Sequence, residues 1–334
     1  MPNWIGDLVM ATPLLQDIRG AYPKAEITAM VKKPLSELLL KDPNINELFS
    51  FSKSGKFFRR DEKCQLIEKL RKGKYDLGLL TPNSFSSAYL FWQGRVERRV
   101  GFKGHFRRYL LTDVASTPQK VKAQHLVKTY KALLKPLSIP LSKTAPKLYL
   151  EEEEKNRAWA LLKRFSISSE MTLIGINPGA AYGSAKCWLP ERFATVAKKL
   201  VERDSNVVVL FFGDRSHWDL IKKICSNLPP RVLNLAGLTT LRELMALISL
   251  CRAFITNDSG PMHVAEALGI PLVALFGSTD EVVTGPYEKG EVIHKHVNCS
   301  PCFNRICPID FRCMKEIASD EVLEKIYALL EKKL

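Results

Sequence analysis

The clearest indication of the fold class is the stretch Leu173-Ile174-Gly175-Ile176-Asn177-Pro178-Gly179. It is a short apolar run that ends in a turn of small residues, and an amphipathic segment follows at Glu191–Val201. Apolar runs and helical patterns continue to alternate downstream. In chain order they are Val207–Phe212, Trp218–Cys225, Val232–Leu235, Leu241–Ser249, Ala253–Thr256, Pro261–Leu268 and Leu272–Phe276. This alternation predicts βαβ units around a parallel sheet that is covered on both faces. Such a sheet binds ligands at the carboxyl ends of its strands.

The first half of the chain shows a weaker pattern of the same kind. We predict helices at Leu8–Ala21 and His125–Leu137, strands at Ile27–Val31 and Tyr75–Leu80, and a loop at Thr112–Lys122. The whole chain is therefore expected to be α/β.

The length of 334 residues predicts about two domains. Three prolines between positions 136 and 146 mark an extended connector that leads to Leu150. We therefore predict a first domain at 1–150, a second at 151–318, and an amphipathic final helix at 319–334.

Composition and charge narrow the possible functions. The chain is 46% hydrophobic and 25% charged, as soluble globular proteins are. No apolar stretch approaches the ~20 residues that span a bilayer, and no signal peptide is visible, so we expect a cytoplasmic protein. The net charge of +15 lies entirely in residues 1–150, which hold 27 basic and 12 acidic residues, whereas the remainder holds 23 of each. Either the first half meets an acidic partner, such as nucleic acid, anionic lipid or a phosphorylated glycan, or its basic surface is only solvated.

Two loops of the second half carry candidate binding residues. The first runs from Asn177 to Gly183 and is followed by Lys186. Small residues let backbone N–H groups approach an anion, and a lysine adds charge, so the loop suits a diphosphate unless it is only a structural turn. The second loop is 256–263, where Ser259 or Asp258 can cap a helix. A capping role for this loop does not explain why a histidine, His263, lies one turn inside that helix.

The first domain offers one candidate catalytic carboxylate. Trp4-Ile5-Gly6-Asp7 opens the first helix. Asp7 is either a helix N-cap or a general base that removes a proton from a hydroxyl nucleophile.

Taken together, these motifs resemble the bacterial lipopolysaccharide heptosyltransferases of glycosyltransferase family 9. The similarity runs almost from end to end, and the opening Pro2–Asp7 is most similar to the members that add the second inner-core heptose. The segments that carry it are Pro2–Asp7 with 11–13, 75–77, 83–85, 99–102, 110–112, 178–180, 186–188, 257–263, 275–279 and 299–313.

The resemblance implies a GT-B architecture, in which two Rossmann-like domains face each other across a cleft. It implies an inverting transfer of L-glycero-D-manno-heptose from ADP-heptose to the first heptose of the inner core. In this reading Asp7 is the base and Lys186 stabilises charge on the departing ADP. The substrate-binding residues would be Gly6, Ala181, Tyr182, Asp258, Ser259, Gly260 and His263. The final helix would pack back on the first domain.

The resemblance also implies partners. The acceptor is the anionic inner core and lipid A, so we expect a peripheral protein on the cytoplasmic face of the inner membrane, with no nucleic-acid partner. The candidate basic contacts are Lys103, Arg107, Arg108, Arg98, Arg99 and residues 53–60.

The mechanism requires no cofactor and no catalytic metal, although Mg²⁺ can assist a diphosphate. The spacing C-x2-C-x4-C-x5-C at Cys299, Cys302, Cys307 and Cys313 allows a structural Zn²⁺ site or a thiol-rich loop without metal.

The sequence departs from the family pattern at its start, and several alternative functions are open. Relatives carry an apolar strand before the Gly-Asp pair, whereas only five residues precede Gly6 here. We expect the first strand of this domain to be missing and an apolar run to be encoded just upstream. The alternatives are heptosyltransferase I, another core glycosyltransferase, a nucleotide-sugar-binding protein without turnover, and a nucleic-acid-binding protein. The last lacks any recognisable nucleic-acid-binding motif.

Overall fold

The computed structural model describes residues 1–52, 59–104, 106–116 and 124–331. The chain divides into two units, Met1–Pro146 and Lys147–Leu334. The division lies close to the boundary expected near residue 150, and it groups the final helix with the second unit.

The second unit is built on one six-stranded parallel sheet. Its strands are β6 (Thr172–Asn177), β7 (Val207–Phe211), β8 (Val232–Asn234), β9 (Ala253–Asn257), β10 (Leu272–Phe276) and β11 (Glu291–His294). Every residue of β7, β9 and β10 is buried. These strands are continuous apolar runs because helices cover both faces of the sheet.

The strand order, β11-β10-β9-β6-β7-β8, has a switch point. From β6 the chain moves outward through β7 and β8, and it then returns to β9 on the other side of β6. A ligand crevice in a sheet of this kind lies at the carboxyl ends of the two strands where the order reverses. Here those ends are Asn177 and Asn257.

Eight α-helices accompany this sheet in the described part of the second unit. They are α6 (Glu152–Lys163), α7 (Pro190–Arg203), α8 (Trp218–Cys225), α9 (Leu241–Ser249), α10 (Gly260–Ala267), α11 (Glu281–Thr284), α12 (Arg312–Lys315) and α13 (Ser319–Glu331). The final helix α13 packs on α7, β9 and β10, and it buries Val322 and Ile326 completely. Burial of each such side chain contributes about 1.5–3 kcal/mol. The expected packing of this helix on the first domain stays a prediction.

The first unit holds two parallel sheets, β1-β2 and β3-β4-β5. The strands are β1 (Thr28–Lys32), β2 (Glu47–Phe51), β3 (Leu77–Leu80), β4 (Arg98–Phe102) and β5 (Asp113–Ala115). The helices are α1 (Ile5–Met10), α2 (Thr12–Ala21), α3 (Arg60–Gly73), α4 (Phe85–Gln93) and α5 (Leu126–Lys131).

The first element of the first unit is α1, which holds Gly6 and Asp7. The described chain enters α1 directly. The Met1 amino group donates to the Met30 carbonyl of β1 at 2.9 Å, and burial lowers the pKa of that amino group to about 5.

Two local predictions for the first unit were wrong, and a third was right in extent but not in the type of helix. The helix expected at Leu8–Ala21 is two helices, because the chain turns at Ala11 and Pro13 lies in the first turn of α2. The loop expected at Thr112–Lys122 contains β5, while residues 117–123 lie outside the described ranges. The helix expected to reach Leu137 becomes a 3₁₀ helix after α5, since Pro136 cannot donate a helical hydrogen bond.

Candidate functional site

Two asparagines join the loops at the switch point of the second unit. The Asn257 side chain donates to the Pro178 carbonyl at 2.7 Å and accepts from the Trp188 N–H at 3.0 Å. The Asn177 amide donates to the Gly179 carbonyl at 2.9 Å and to Ser259 Oγ at 3.0 Å. The two loops predicted to bind a nucleotide-sugar therefore form one surface at the ends of β6 and β9.

An ion pair lies on this surface. Lys186 Nζ is 2.5 Å from Asp258 Oδ2, and the two side chains are only 12% and 5% exposed. The same carboxylate oxygen accepts hydrogen bonds from Thr279 at 2.7 Å and Thr284 at 3.4 Å. Asp258 therefore holds the lysine ammonium in place. Its negative charge balances the positive charge of the lysine.

Tyr182 lies beside this lysine. Its ring centroid is 4.8 Å from Lys186 Nζ and 5.1 Å from the Arg305 guanidinium. The Tyr182 hydroxyl donates to the Phe303 carbonyl at 2.8 Å, and the Ala185 N–H donates to the Arg305 carbonyl at 3.0 Å. The segment around Arg305 therefore borders the loop and adds a second cation beside it.

Helix α10 begins at this surface, but not as predicted. Ser259 occupies the N-cap position without a capping hydrogen bond from its side chain. Its Oγ instead contacts Asn177 and, at 3.1 Å, Thr256 Oγ1. The predicted side-chain cap is therefore wrong at Ser259, whereas Pro261 lies in the first turn as expected. Gly260 opens the helix, and His263 is buried one turn inside it.

The structure brings most of the predicted site residues together in the second unit. Those at the ends of β6 and β9 are Ala181, Tyr182, Lys186, Asp258, Ser259, Gly260 and His263. Sequence reasoning gave no role to Asn177, Asn257, Thr279 or Thr284. The two asparagines could have been found from sequence, because each one is the last residue of a strand beside the switch point.

Gly6 and Asp7 lie in the first unit, within α1. Trp4 is the N-cap of that helix, so the interpretation of Asp7 as an N-cap residue is wrong. Tyr130 of α5 donates its hydroxyl proton to Asp7 Oδ1 at 3.1 Å. Burial, and then the Asp7 carboxylate, raise the pKa of Tyr130 well above its usual value, so the hydroxyl remains a donor at neutral pH. No sequence signal links these two residues, which are 123 positions apart.

The structure changes the set of basic residues available to an acidic partner. Arg107 is completely buried, which contradicts its expected role on the surface. Arg98 forms a bidentate pair with Asp113 at 2.9 and 3.0 Å, and Arg99 donates to the Leu110 carbonyl at 2.7 Å. Residues 53–58 of the expected basic segment lie outside the described ranges, whereas Lys103 and Arg108 are exposed.

Among the described residues, one group of side chains brings metal-ligating atoms close together. Glu281, His294 and His296 bring their ligand atoms within 4.8 Å of one another, and His294 Nδ1 lies 2.6 Å from a Glu281 oxygen. The cysteines of the 299–313 segment are free thiols. Burial raises the pKa of Cys313, and the three neighbouring thiols of that segment add to the effect.

Comparison with known proteins identifies the class. The family model described as glycosyltransferase family 9 (heptosyltransferase) matches residues 64–311. Lipopolysaccharide heptosyltransferase 2 of Salmonella typhimurium is 33% identical, with 98% of this chain and 97% of that protein covered. The chain belongs to glycosyltransferase family 9, and it is a glycosyltransferase.

Solved structures agree with this assignment. ADP-heptose lps heptosyltransferase II of E. coli superposes with a TM-score of 0.83 at 32% identity, covering 98% of this chain and 96% of that chain. The glycosyl transferase family 9 structure from Veillonella parvula has a TM-score of 0.84 at 27% identity, covering 99% and 94%. The α/β, GT-B fold class predicted from sequence is confirmed. None of the helices in the described ranges has the length and hydropathy needed to cross a membrane.

Proposed function

We propose that the chain transfers L-glycero-D-manno-heptose from ADP-heptose to the first heptose of the lipopolysaccharide inner core. The similarity to a named heptosyltransferase 2 over nearly the full length of both chains carries this proposal. The excess of basic residues in positions 1–150 supports an acidic acceptor on the first unit.

The chemistry assigned to the second unit is binding of the donor diphosphate. Lys186 Nζ and the Arg305 guanidinium lie 4.8 and 5.1 Å from the centroid of the Tyr182 ring, and Lys186 pairs with Asp258 just before the start of α10. Cations and free helical N–H groups are the partners that a diphosphate prefers. When the bond between the anomeric carbon and the phosphate oxygen breaks, the leaving ADP gains negative charge. The Lys186 ammonium would stabilise that charge more than it stabilises the intact donor.

The chemistry assigned to the first unit is activation of the acceptor. Asp7 would take the proton of the acceptor hydroxyl while that oxygen attacks the anomeric carbon, which inverts its configuration. The Tyr130 hydroxyl donates to one carboxylate oxygen of Asp7 at 3.1 Å and so orients the carboxylate for this role. Transfer onto a lipid-linked acceptor also supports a peripheral location on the cytoplasmic face of the inner membrane.

The reaction needs no cofactor in this proposal. Mg²⁺ at the diphosphate and Zn²⁺ at the Cys299–Cys313 segment stay predictions. Metal content of the purified protein, measured before and after chelation, tests both.

The test of function is incubation with ADP-heptose and two purified acceptors, followed by mass measurement of each product. One acceptor carries a single inner-core heptose, and the other ends before that heptose. We expect one heptosyl unit to be added to the first acceptor only. Addition only to the second would favour heptosyltransferase I, and tight ADP-heptose binding without any product would favour a binding protein.

A further inference from the structure

A short aromatic turn on the first unit is not used by the proposed chemistry. The aromatic turn, residues 106–110, follows β4 and contains a 3₁₀ helix at Arg107–Leu110. Phe106 is 90% exposed and Tyr109 is 91% exposed. Aromatic side chains are seldom left so nearly bare, because they bury large apolar areas wherever they find a partner.

A buried arginine holds this turn in place. The Arg107 side chain is fully buried and donates from Nη1 to the Pro82 carbonyl at 2.5 Å. Weaker contacts from the same nitrogen reach the Ser84 carbonyl at 3.4 Å and Asn83 Oδ1 at 3.5 Å. The arginine therefore fixes the turn to the end of β3 and the start of α4. Because the residue between them is anchored inward, Phe106 and Tyr109 project outward from a fixed backbone.

Further aromatic and basic side chains lie next to the aromatic turn. Helix α4 packs against the turn, and it exposes about half of Phe85 and of Trp92. The Tyr89 ring lies between them, 6.2 Å from Phe85 and 5.8 Å from Trp92, with the Lys63 ammonium 4.2 Å from its centroid. Two further exposed cations are Arg108, within the turn, and Lys103, three residues before it.

We propose that the aromatic turn is a membrane-docking element that inserts Phe106 and Tyr109 into the headgroup region of an anionic lipid bilayer. Aromatic rings favour the boundary between lipid headgroups and acyl chains, and flanking lysine and arginine side chains are attracted to anionic lipids. The excess positive charge of residues 1–150 complements such a surface.

The position of the turn connects this inference to the proposed function, on which it rests. The turn follows β4, at the carboxyl edge where a parallel sheet offers its ligand crevice. If the lipid end of the acceptor remains in the bilayer, the protein must bind the acceptor close to the membrane surface. A docking element at this edge would bring the acceptor-binding unit to the bilayer.

The experiment measures co-sedimentation of the full chain with vesicles of phosphatidylcholine and phosphatidylglycerol. The test variant is Phe106→Ser/Tyr109→Ser. The matched control is Leu141→Ser/Phe165→Ser, which removes two other exposed apolar side chains that are 55% and 44% exposed. We expect the test variant to bind roughly tenfold more weakly than the control, because two interfacial anchors are lost. We also expect binding of the parent to weaken on vesicles of phosphatidylcholine alone.

The same variants are assayed for heptose transfer to a delipidated, water-soluble acceptor. The inference predicts an unchanged KM for this acceptor. Equal vesicle binding by the test and control variants, or no binding by the parent, would overturn the inference. A raised KM with unchanged vesicle binding would assign the turn to the acceptor glycan instead. If no acceptor is used at all, the proposed function fails, while the vesicle measurement still decides the role of the turn.

Discussion

At the scale of single residues, two side chains of the proposed mechanism are positioned by other side chains. Tyr130 holds Asp7 in the first unit, and Asp258 holds Lys186 in the second. Each partner comes from a distant part of the chain. Fixed geometry of this kind is what proton transfer and charge stabilisation require.

Replacement of Tyr130 by phenylalanine should lower kcat by roughly tenfold and leave the KM for both substrates nearly unchanged. The reason is that the Asp7 carboxylate loses the hydrogen bond that orients it, worth about 1.4 kcal/mol in the barrier. Initial rates at several concentrations of each substrate measure the effect. Tyr22→Phe, at an exposed tyrosine of the same unit, is the control. An unchanged kcat would remove Tyr130 from the mechanism.

Replacement of Lys186 by methionine should reduce kcat/KM by at least about 100-fold, since a charge that stabilises the leaving group is lost. It should also destabilise the protein by up to about 3–5 kcal/mol, because the Asp258 carboxylate remains buried without its cation. The free energy of unfolding in urea and the initial rate are both measured.

The double variant Lys186→Met/Asp258→Asn separates the two effects. We expect it to regain most of the lost stability, because no unpaired charge remains, and to stay inactive. Recovery of turnover in the double variant would show that Lys186 acts only through folding.

At the scale of elements, helix packing in the second unit includes one partly buried ion pair. Arg242 of α9 donates from Nε to Glu154 of α6 at 2.7 Å, and its Nη2 contacts the second carboxylate oxygen. The Arg242 guanidinium lowers the pKa of the Glu154 carboxyl below its usual value of 4.5. Because the folded-state pKa is the lower one, the pair stabilises the folded state fully above about pH 4.5. This contribution is lost as the pH falls through the folded-state pKa.

Glu154→Gln should therefore destabilise the second unit by about 1–3 kcal/mol at pH 7. The difference from the parent should shrink as the pH falls from about 5 to 3. Urea unfolding across this range, with the exposed Glu153→Gln as control, tests the sign. A difference that stays constant with pH would show that the glutamate charge contributes nothing.

The elements also differ in how well sequence predicts them. The strands β7, β9 and β10 are buried at every position, so an apolar run alone was enough to find them. By contrast, β4 begins with exposed Arg98, and β2 begins with exposed Glu47, so their sequence patterns did not stand out. Strands of this kind become apparent only when their parallel partners are known.

At the scale of the whole molecule, the fold class followed from alternating apolar runs, and the family from short motifs, several of which lie in strand-to-helix turns. These turns are local, so their residues are close in sequence and visible in it. The network that joins the connector to the first unit is not local. Asp17 accepts from Ser142 at 2.6 Å and from Thr144 at 2.7 Å, and Lys131 donates to the Thr144 carbonyl at 2.6 Å. Contacts across more than 100 residues, like that of Tyr130 with Asp7, depend on the completed fold.

The net charge of the first unit also shows what the sequence alone cannot predict about the surface of the molecule. The excess of basic residues in the first unit is visible by counting, but the role of each residue is not. Arg107 is buried and anchors the turn, and no sequence pattern indicated that the aromatic side chains beside it are exposed. A net charge describes a domain, whereas an interface depends on which side chains the fold leaves outside.

The proposed function requires that this chain transfers heptose and that Asp7 acts as the base. The most direct measurement compares the parent with Asp7→Asn for product mass and for ADP binding, using an acceptor that carries one inner-core heptose. We predict that the parent adds one heptosyl unit, and that the variant binds ADP with unchanged affinity but forms product at least about 100-fold more slowly. Equal rates for the two proteins, or no product from the parent, would contradict the account.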